Sequence, residues 1–504
     1  MLHALLISLL VQCPDGSPPP CSRPAAAAAA PSTNSVAVLQ LRNLSRDSAF
    51  DYLSEGLASE IATTMARVPR LEVRSPGAVR SAQRGIEPDP AVMARRLNVR
   101  YVVEGDFQRG GDRIRISVRL VAAATGTQRW SESYTRPSAD LLTVQEEIAR
   151  AAATAIAGEL LPQERTSLAV RPTRNPEAYD RLLRGNFQLA RRTPASVMRA
   201  IDEYGNAARL DPFLVQAGAR AALCYALFLD WGWSFPGVPR DSQLARGMRA
   251  ADAALRVDSL SADAWMARGY LLSFQHPRTL EGVLESLERS TTLDPRNAEA
   301  WHQYGSWLFS LYRRIEALDA NRRALAIEPG RAVSWLQEAQ LQELLGRDRE
   351  AVAAFDSSIA ADPEFYASYA FSVWARLRLG DTLGARASAD AAMRHSPPSE
   401  RYYGFMALAE VAAHGGDTVT ARRYMADAVA PLSDRPAGPL VTSALALGFI
   451  SAGQPELAID WLERTDKPGA LLWGNLQFAP FRSLISNPRY VRLIERIRPP
   501  GAAL

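Results

Sequence analysis

Residues 295–329 read PRNAEAWHQYGSWLFSLYRRIEALDANRRALAIEP, and the reading of this stretch decides the fold. Its key residues recur at one fixed interval. Pro295, Pro329, Pro363 and Pro397 stand 34 residues apart, and so do Trp301, Trp335, Tyr369 and Tyr403. Ala317, Ala351 and Ala385 keep the same step, as do Gly346 and Gly380. Between the prolines the apolar residues fall at helical spacing, which predicts two helices per unit. Small alanines on the second helix let helices approach closely, and the aromatic of the first helix fills space between neighbours. Proline closes each unit because it cannot continue the helical hydrogen-bond ladder.

A 34-residue period with these residue types is the tetratricopeptide signature. Trp301, Tyr304-Gly305, Leu308, Ala317, Ala324 and Pro329 carry the match within one repeat. Upstream the array continues through Trp265, Gly269 and Leu272, with a two-residue insertion before Pro295. Asp211-Pro212 marks an earlier boundary, followed by a larger insertion near Trp231 to Arg240. Downstream the repeats loosen over 400–465. The array is expected over 175–475 as about seven helix pairs, stacked into a superhelix because no pair buries its apolar face alone. Residues 476–504 are expected to form a capping helix and tail, with Leu484, Ile485, Tyr490, Leu493, Ile494 and Ile497 as its apolar side.

Residues 36–160 have a different rhythm and predict a small α/β unit with a mixed sheet. Val36-Ala37-Val38-Leu39 reads as a buried strand. Leu53, Leu57, Ile61, Met65 and Val68 then mark an amphipathic helix that Pro69 stops. Leu71-Glu72-Val73 is a second strand, and strand–helix–strand implies a parallel crossover. Ala91 to Leu97 is a helix. Tyr101–Phe107 and Arg113–Val121 form a hairpin through Gly110-Gly111-Asp112. In its second strand Ile114, Ile116, Val118 and Leu120 face one way, and Arg113, Arg115 and Arg119 the other. A last strand, Gln128 to Tyr134, and a long helix, Asp140 to Leu160, close the unit. Residues 161–174, with Pro162 and Pro172, read as a linker.

This unit resembles the TolB-type (FlgO-like) amino-terminal domain that precedes repeat arrays in bacterial regulatory proteins. The resemblance rests on Val36–Leu39 with Asn43-Leu44-Ser45, on Tyr52-Leu53-Ser54-Glu55-Gly56-Leu57, on Val99 to Gly105, and on Ala124-Thr125-Gly126 with Trp130. The family often has proline where this chain has Gln40. The resemblance implies a sensory or docking role and no reaction.

Composition narrows the function. Of the chain's 504 residues 47 % are hydrophobic and 22 % charged, which suits a globular protein with a sizeable core. The net charge of +4 is spread along the whole chain and, save for Lys467, carried by arginine, so no nucleic-acid partner is expected. No GxxxxGK[ST] loop or G-x-S-x-G elbow is present. His3, His276, His302, His395 and His414 lack the spacing of a metal site. No catalytic residue, cofactor or metal is therefore expected. Cys224 lies in an apolar helical run, whereas Cys13 and Cys21 flank a proline-rich stretch and would bridge only in an oxidising compartment. Leu2 to Val11 is about half the length a bilayer span needs, but it resembles the apolar part of a secretory signal. It is followed by low-complexity sequence, and residues 1–35 read as leader and linker. Cell-envelope placement, with membrane contact only through an N-terminal anchor, is the expectation, and a cytoplasmic location the alternative.

The repeat family lines its concave face from the first helix of each unit. The residues this implies here are Met266, Tyr270, Phe274, His302, Ser306, Phe309, Leu336, Gln340, Trp374 and Arg378. The peptide-clamp branch of the family uses lysine at such positions, and none stands there in this chain. An aromatic, weakly polar groove suited to an apolar peptide is expected. The leading expectation is a non-catalytic interaction scaffold that binds a protein or peptide. The alternatives are a cytoplasmic regulatory module acting on a separate effector, and an uncharacterised enzyme in the α/β unit.

Overall fold

The structure, a computed structural model, describes residues 31–84, 89–233, 235–275, 280–432, 437–465 and 470–499. The apolar run Leu2–Val11, Cys13, Cys21, His3, His276 and the turn holding Lys467 lie outside the described residues. Within them, an α/β unit with a small mixed sheet is followed by an all-α tetratricopeptide superhelix.

The sheet contains β1 (Ser35–Val38), β2 (Arg42–Asn43), β3 (Glu72–Val73), β4 (Tyr101–Gly110), β5 (Arg113–Ala122) and β6 (Thr127–Pro137). Its order is β3-β1-β4-β5-β6, with β2 beside β4. Pairing is parallel for β1 with β3 and β4 and for β2 with β4, and antiparallel for β4/β5 and β5/β6. All four residues of β1 are buried because both of its faces are covered. On one side lie α1 (Asp51–Met65) and α4 (Leu141–Ala157), sharing a core with Val36, Val38, Ile114, Ile116, Val118 and Leu120. On the other, α2 (Pro76–Gln83) and α3 (Pro90–Leu97) enclose Ala37, Leu39 and Val102. The sequence reading does not anticipate α2, a short helix with only Ala78 and Val79 buried, which Ser75 caps through the Ala78 N–H. Arg113 and Arg115 point to solvent, and Arg119 donates to Glu104 at 2.7 Å.

The stretch read as a linker is partly helical. It carries α5 (Pro162–Leu168), where Pro162 occupies the first helical turn and Glu164 accepts the Leu161 N–H at 2.8 Å. Arg70 donates to the same carboxylate, fastening α5 to the turn after α1.

Eight antiparallel helix pairs follow among the described residues, one more than expected. They are α6 (Pro176–Ala190) with α7 (Pro194–Leu210), α8 (Val215–Asp230) with α9 (Arg240–Val257), α10 (Ala262–Leu272) with α11 (Leu280–Leu293), and α12 (Ala298–Ser310) with α13 (Arg314–Ile327). Next come α14 (Ala332–Leu344) with α15 (Asp348–Ala361), α16 (Tyr366–Arg378) with α17 (Thr382–His395), α18 (Tyr402–His414) with α19 (Thr418–Val429), and α20 (Pro439–Ser451) with α21 (Pro455–Glu463). Two short helices, α22 (Ala470–Asn475) and α23 (Pro488–Ile497), end the described chain.

The periodic residues have specific duties. The Trp301 indole donates to the Pro295 carbonyl at 3.0 Å, and the Trp335 indole to the Pro329 carbonyl at 2.6 Å, so aromatic and proline pin each turn together. Ala317, Ala351 and Ala385 are fully buried. A Cβ added to Gly305 would lie 3.2 Å from the Ala317 carbonyl oxygen, which shows how closely paired helices approach. Gly346 and Gly380 end helices with φ of 73° and 76°. Tyr312, at the same place one repeat earlier, takes φ of 62° without glycine's freedom.

Contacts between distant parts of the chain tie the array to the α/β unit. Gly56 of α1 packs on Leu183 of α6, and Arg184 lies 4.2 Å from the Tyr52 ring centroid. At the far side Ser81 donates to the Gly330 carbonyl at 3.0 Å, and Arg84 to the Ala361 carbonyl at 2.9 Å. The segment after α8 reaches residues far along the array. Its Trp233 indole donates to Glu400 at 3.1 Å, and its Trp231 ring meets Phe365 at 6.0 Å.

Candidate functional site

Repetition of one helix frame puts equivalent side chains on one line along the inner wall. Seven of the ten expected groove residues line a single cavity of about 150 Å³: Tyr270, Phe274, His302, Ser306, Phe309, Leu336 and Gln340. The other three lie elsewhere. Met266 shares the frame position of His302 and Leu336, yet it is 3 % exposed in the core that α8 also enters. Arg378 forms an ion pair with Asp348 and sits 5.8 Å from the Trp374 ring centroid. Trp374 lines a separate, smaller cavity next door.

The groove is partly covered from within the chain. Leu440 of α20 and Leu471 and Asn475 of α22 complete the wall of the larger cavity. Helix α22 lies directly on α12, where a Cβ on Gly474 would come within 2.8 Å of the Ser310 Cα. The Phe309 ring, 6 % exposed, packs 6.1 Å from that of Phe478. Phe309 is therefore as much an inner core residue as a wall.

The polar groups of the wall are mostly tied. Tyr270 donates its hydroxyl hydrogen to Asp230 at 2.6 Å. Burial raises the Asp230 carboxyl to about 6, and the Tyr270 hydrogen bond opposes that rise. Gln337 donates to Ser306 Oγ at 2.9 Å, and Ser334 Oγ lies 3.1 Å from His302 Nδ1. Burial, and the nearby Arg331 cation, lower the His302 imidazole to about 3, so it is neutral at physiological pH. Behind His302 stands Glu299. Burial alone would raise its carboxyl, but Arg192 and Arg331 together hold it well below the ordinary range. Arg331 reaches it at 2.6 Å, and Arg192 bridges to it from the first helix pair.

Two groups remain unpaired. The Trp307 indole N–H and the Gln337 Oε1 are buried without a hydrogen-bond partner, and both residues line the cavity. The chamber thus combines apolar walls with a buried donor and a buried acceptor that lack partners among the described residues. Sequence reasoning missed Gln303, Gln337, Asp230 and the α22 residues. The two glutamines stand one residue beyond frame positions that were chosen, and buried polar residues inside apolar helices are the signal that marks them. Asp230 ends α8 just before the insertion, and α22 follows the last pair, where no period applies.

Among the described residues no group of three or more His, Cys, Asp or Glu side chains is placed to hold a metal, and no helix is long and apolar enough to cross a membrane.

No protein-family model matches the chain. A curated relative, "Putative adenylate cyclase 3" of Rhizobium meliloti (strain 1021), is 31 % identical over 228 residues, or 45 % of this chain. Solved structures similar to it include yeast Tom70, at 15 % identity over 64 % of this chain and 66 % of that one, with a TM-score of 0.38. A tetratricopeptide repeat protein from Parabacteroides merdae ATCC 43184 shares 13 % identity over 54 % of this chain and 99 % of its own, with a TM-score of 0.37. Pseudomonas aeruginosa PilF shares 16 % over 44 % and 95 %, with a TM-score of 0.35. The chain spans 38 % of the length of the curated relative that it matches.

Proposed function

We propose that the chain is a non-catalytic interaction scaffold whose repeat array receives a protein or peptide partner at its inner wall. The observation that carries this reading is the half-closed cavity, whose free Trp307 donor and Gln337 acceptor call for a ligand with both kinds of group. With α22 across the groove, the partner inserts one or two side chains rather than a long extended segment. The α/β unit, docked on both the first pair and the mid-array turns, is the regulatory or second docking element. Its TolB-type resemblance supports that role, and the apolar run Leu2–Val11 supports envelope placement.

The test uses the full chain as bait, because the α/β unit packs on the repeats. Gln340 lines the cavity and is only partly buried, so Gln340→Arg should block the chamber without removing core. A protein captured by the wild type, and bound as a purified component, should lose at least tenfold in affinity for the variant. Equal binding would overturn the reading. Amino-terminal sequencing of the mature protein tests the envelope placement, since an uncut, unmodified start would refute it.

A second reading is a regulatory module acting on a separate signalling effector. The likeness to a protein named as an adenylate cyclase favours it. Recovery of a nucleotide cyclase in the same capture would support this reading over a structural scaffold.

A further inference from the structure

Beside the main chamber, α14, α16 and α18 enclose a second cavity of about 40 Å³ beneath the segment that follows α22. Its walls include the rings of Phe371, Trp374 and Phe478, and two carboxyl groups, Glu343 and Glu410, also line it. Glu410 is 5 % exposed, burial raises its carboxyl, and among the described residues no hydrogen bond or ion pair engages it. Glu343 Oε1 is likewise buried without a hydrogen-bond partner. The cation that acts on Glu343 is Arg378, which Asp348 already engages.

Unpaired buried carboxyl groups are costly, and two facing the same small space are more so. The arrangement has the parts of a cation receptor. Carboxylates accept charge-assisted hydrogen bonds from N–H donors, and aromatic faces attract a cation through their quadrupoles. We propose that this cavity binds a small organic cation, an alkylammonium or guanidinium group, between Glu343 and Glu410 and against Trp374. Each water-sized group needs ~10–15 Å³, so the space takes part of the cation, its charged head first, and the rest of the stem lies outside it. The same chemistry is offered by a basic side chain of a protein and by a free amine.

Protonation supports the inference. Burial raises both carboxyl groups to about 8, so the empty pocket is largely neutral at pH 7. A bound cation favours the ionised forms, so binding releases protons and strengthens as pH rises from 6 to 8. The site stands on its own residues and does not require the main chamber to bind a partner.

Titration calorimetry of the full chain with n-butylammonium at pH 8 and constant ionic strength tests it, with n-butanol as the neutral isostere. The expected result is saturable binding of one butylammonium, at least tenfold tighter than butanol, with a proton release read from buffers of different ionisation heat. Glu410→Gln, which keeps the shape, should weaken butylammonium at least tenfold and leave butanol unchanged. Glu343→Gln serves as the second variant should Glu410→Gln fail to fold. Butanol binding as tightly as butylammonium, or undiminished affinity in a folded variant, would overturn the proposal. Nα-acetyl-lysine methylamide separates the sources. Tighter binding than butylammonium identifies a protein side chain, and weaker binding a free amine.

Discussion

Replacing Phe309 by alanine separates a groove open to ligands from one that the chain has closed on itself. The side chain is 6 % exposed, its ring faces Phe478, and its own backbone carbonyl oxygen would lie 3.4 Å from a Cβ on Gly474. An aromatic side chain buries roughly 150–250 Å², which at about 25 cal/mol per Å² is worth about 4–6 kcal/mol, and alanine keeps a minor part. Helix α22 already touches the α12 backbone at Gly474, so it has little room to sink into the vacated space. The expected loss is therefore in the usual Phe→Ala range of about 3–5 kcal/mol rather than below it. A repeat array opens locally as well as globally, so the assay should be local. Hydrogen exchange of peptides from α12 and α22 reports that opening, and 3 kcal/mol corresponds to about a 100-fold faster exchange at about 1.4 kcal/mol per decade. An acceleration under tenfold in both helices would show that Phe309 is a free groove residue, and the closure described here would be refuted.

Glu299→Gln should cost about 3–5 kcal/mol in urea unfolding, because it strips a buried carboxylate from Arg192 and Arg331 and leaves the Arg331 charge poorly compensated. The rise of the Glu410 carboxyl to about 8 from its ordinary 4.5 makes the folded state bind more protons than the unfolded one, so this contribution is complete below about pH 4.5 and is lost as pH rises through 8. Urea midpoints at pH 6 and pH 9 should accordingly fall less for Glu410→Gln than for the wild type, and parallel falls would show that the group is not buried as an acid. Trp233→Phe keeps the ring stack but removes the donor to Glu400, whose carboxyl burial already raises to about 7. Loss of that bond should cost about 1–3 kcal/mol, and an unchanged melting temperature would mean that the insertion does not brace the superhelix.

The sequence made legible whatever depends on neighbours in the chain. The 34-residue step gave the helix pairs, because each Trp–Pro clasp, such as Trp301 with the Pro295 carbonyl, closes within seven residues. Alternation along Arg113–Val121 gave the hairpin and the sense of its faces, since Ile114, Ile116, Val118 and Leu120 are all buried. Seven of ten groove positions share one cavity for the same reason: a repeated helix frame fixes side-chain direction without knowledge of the partners. The exceptions fall where the array meets something outside the frame. Met266 meets the core around α8 instead of the chamber, and nothing in its own repeat distinguishes it from His302.

Closure depends on contacts that no local pattern encodes. Arg192 finds Glu299 at a separation of 107 residues, Trp233 finds Glu400 at 167, and Ser81 finds Gly330 at 249. Each joins residues far apart in the chain through polar side chains. A solenoid of stacked pairs is held by nearest-neighbour interfaces and leaves its curvature free to vary within their tolerance. Cross-ties of this kind remove that freedom. The Trp307 donor and the Gln337 acceptor of the larger cavity, and Glu343 Oε1 of the smaller one, are left without hydrogen-bond partners within the chain. Groups left unpaired in so heavily tied a structure are costly in the empty state. A partner group that completed them would relieve that cost.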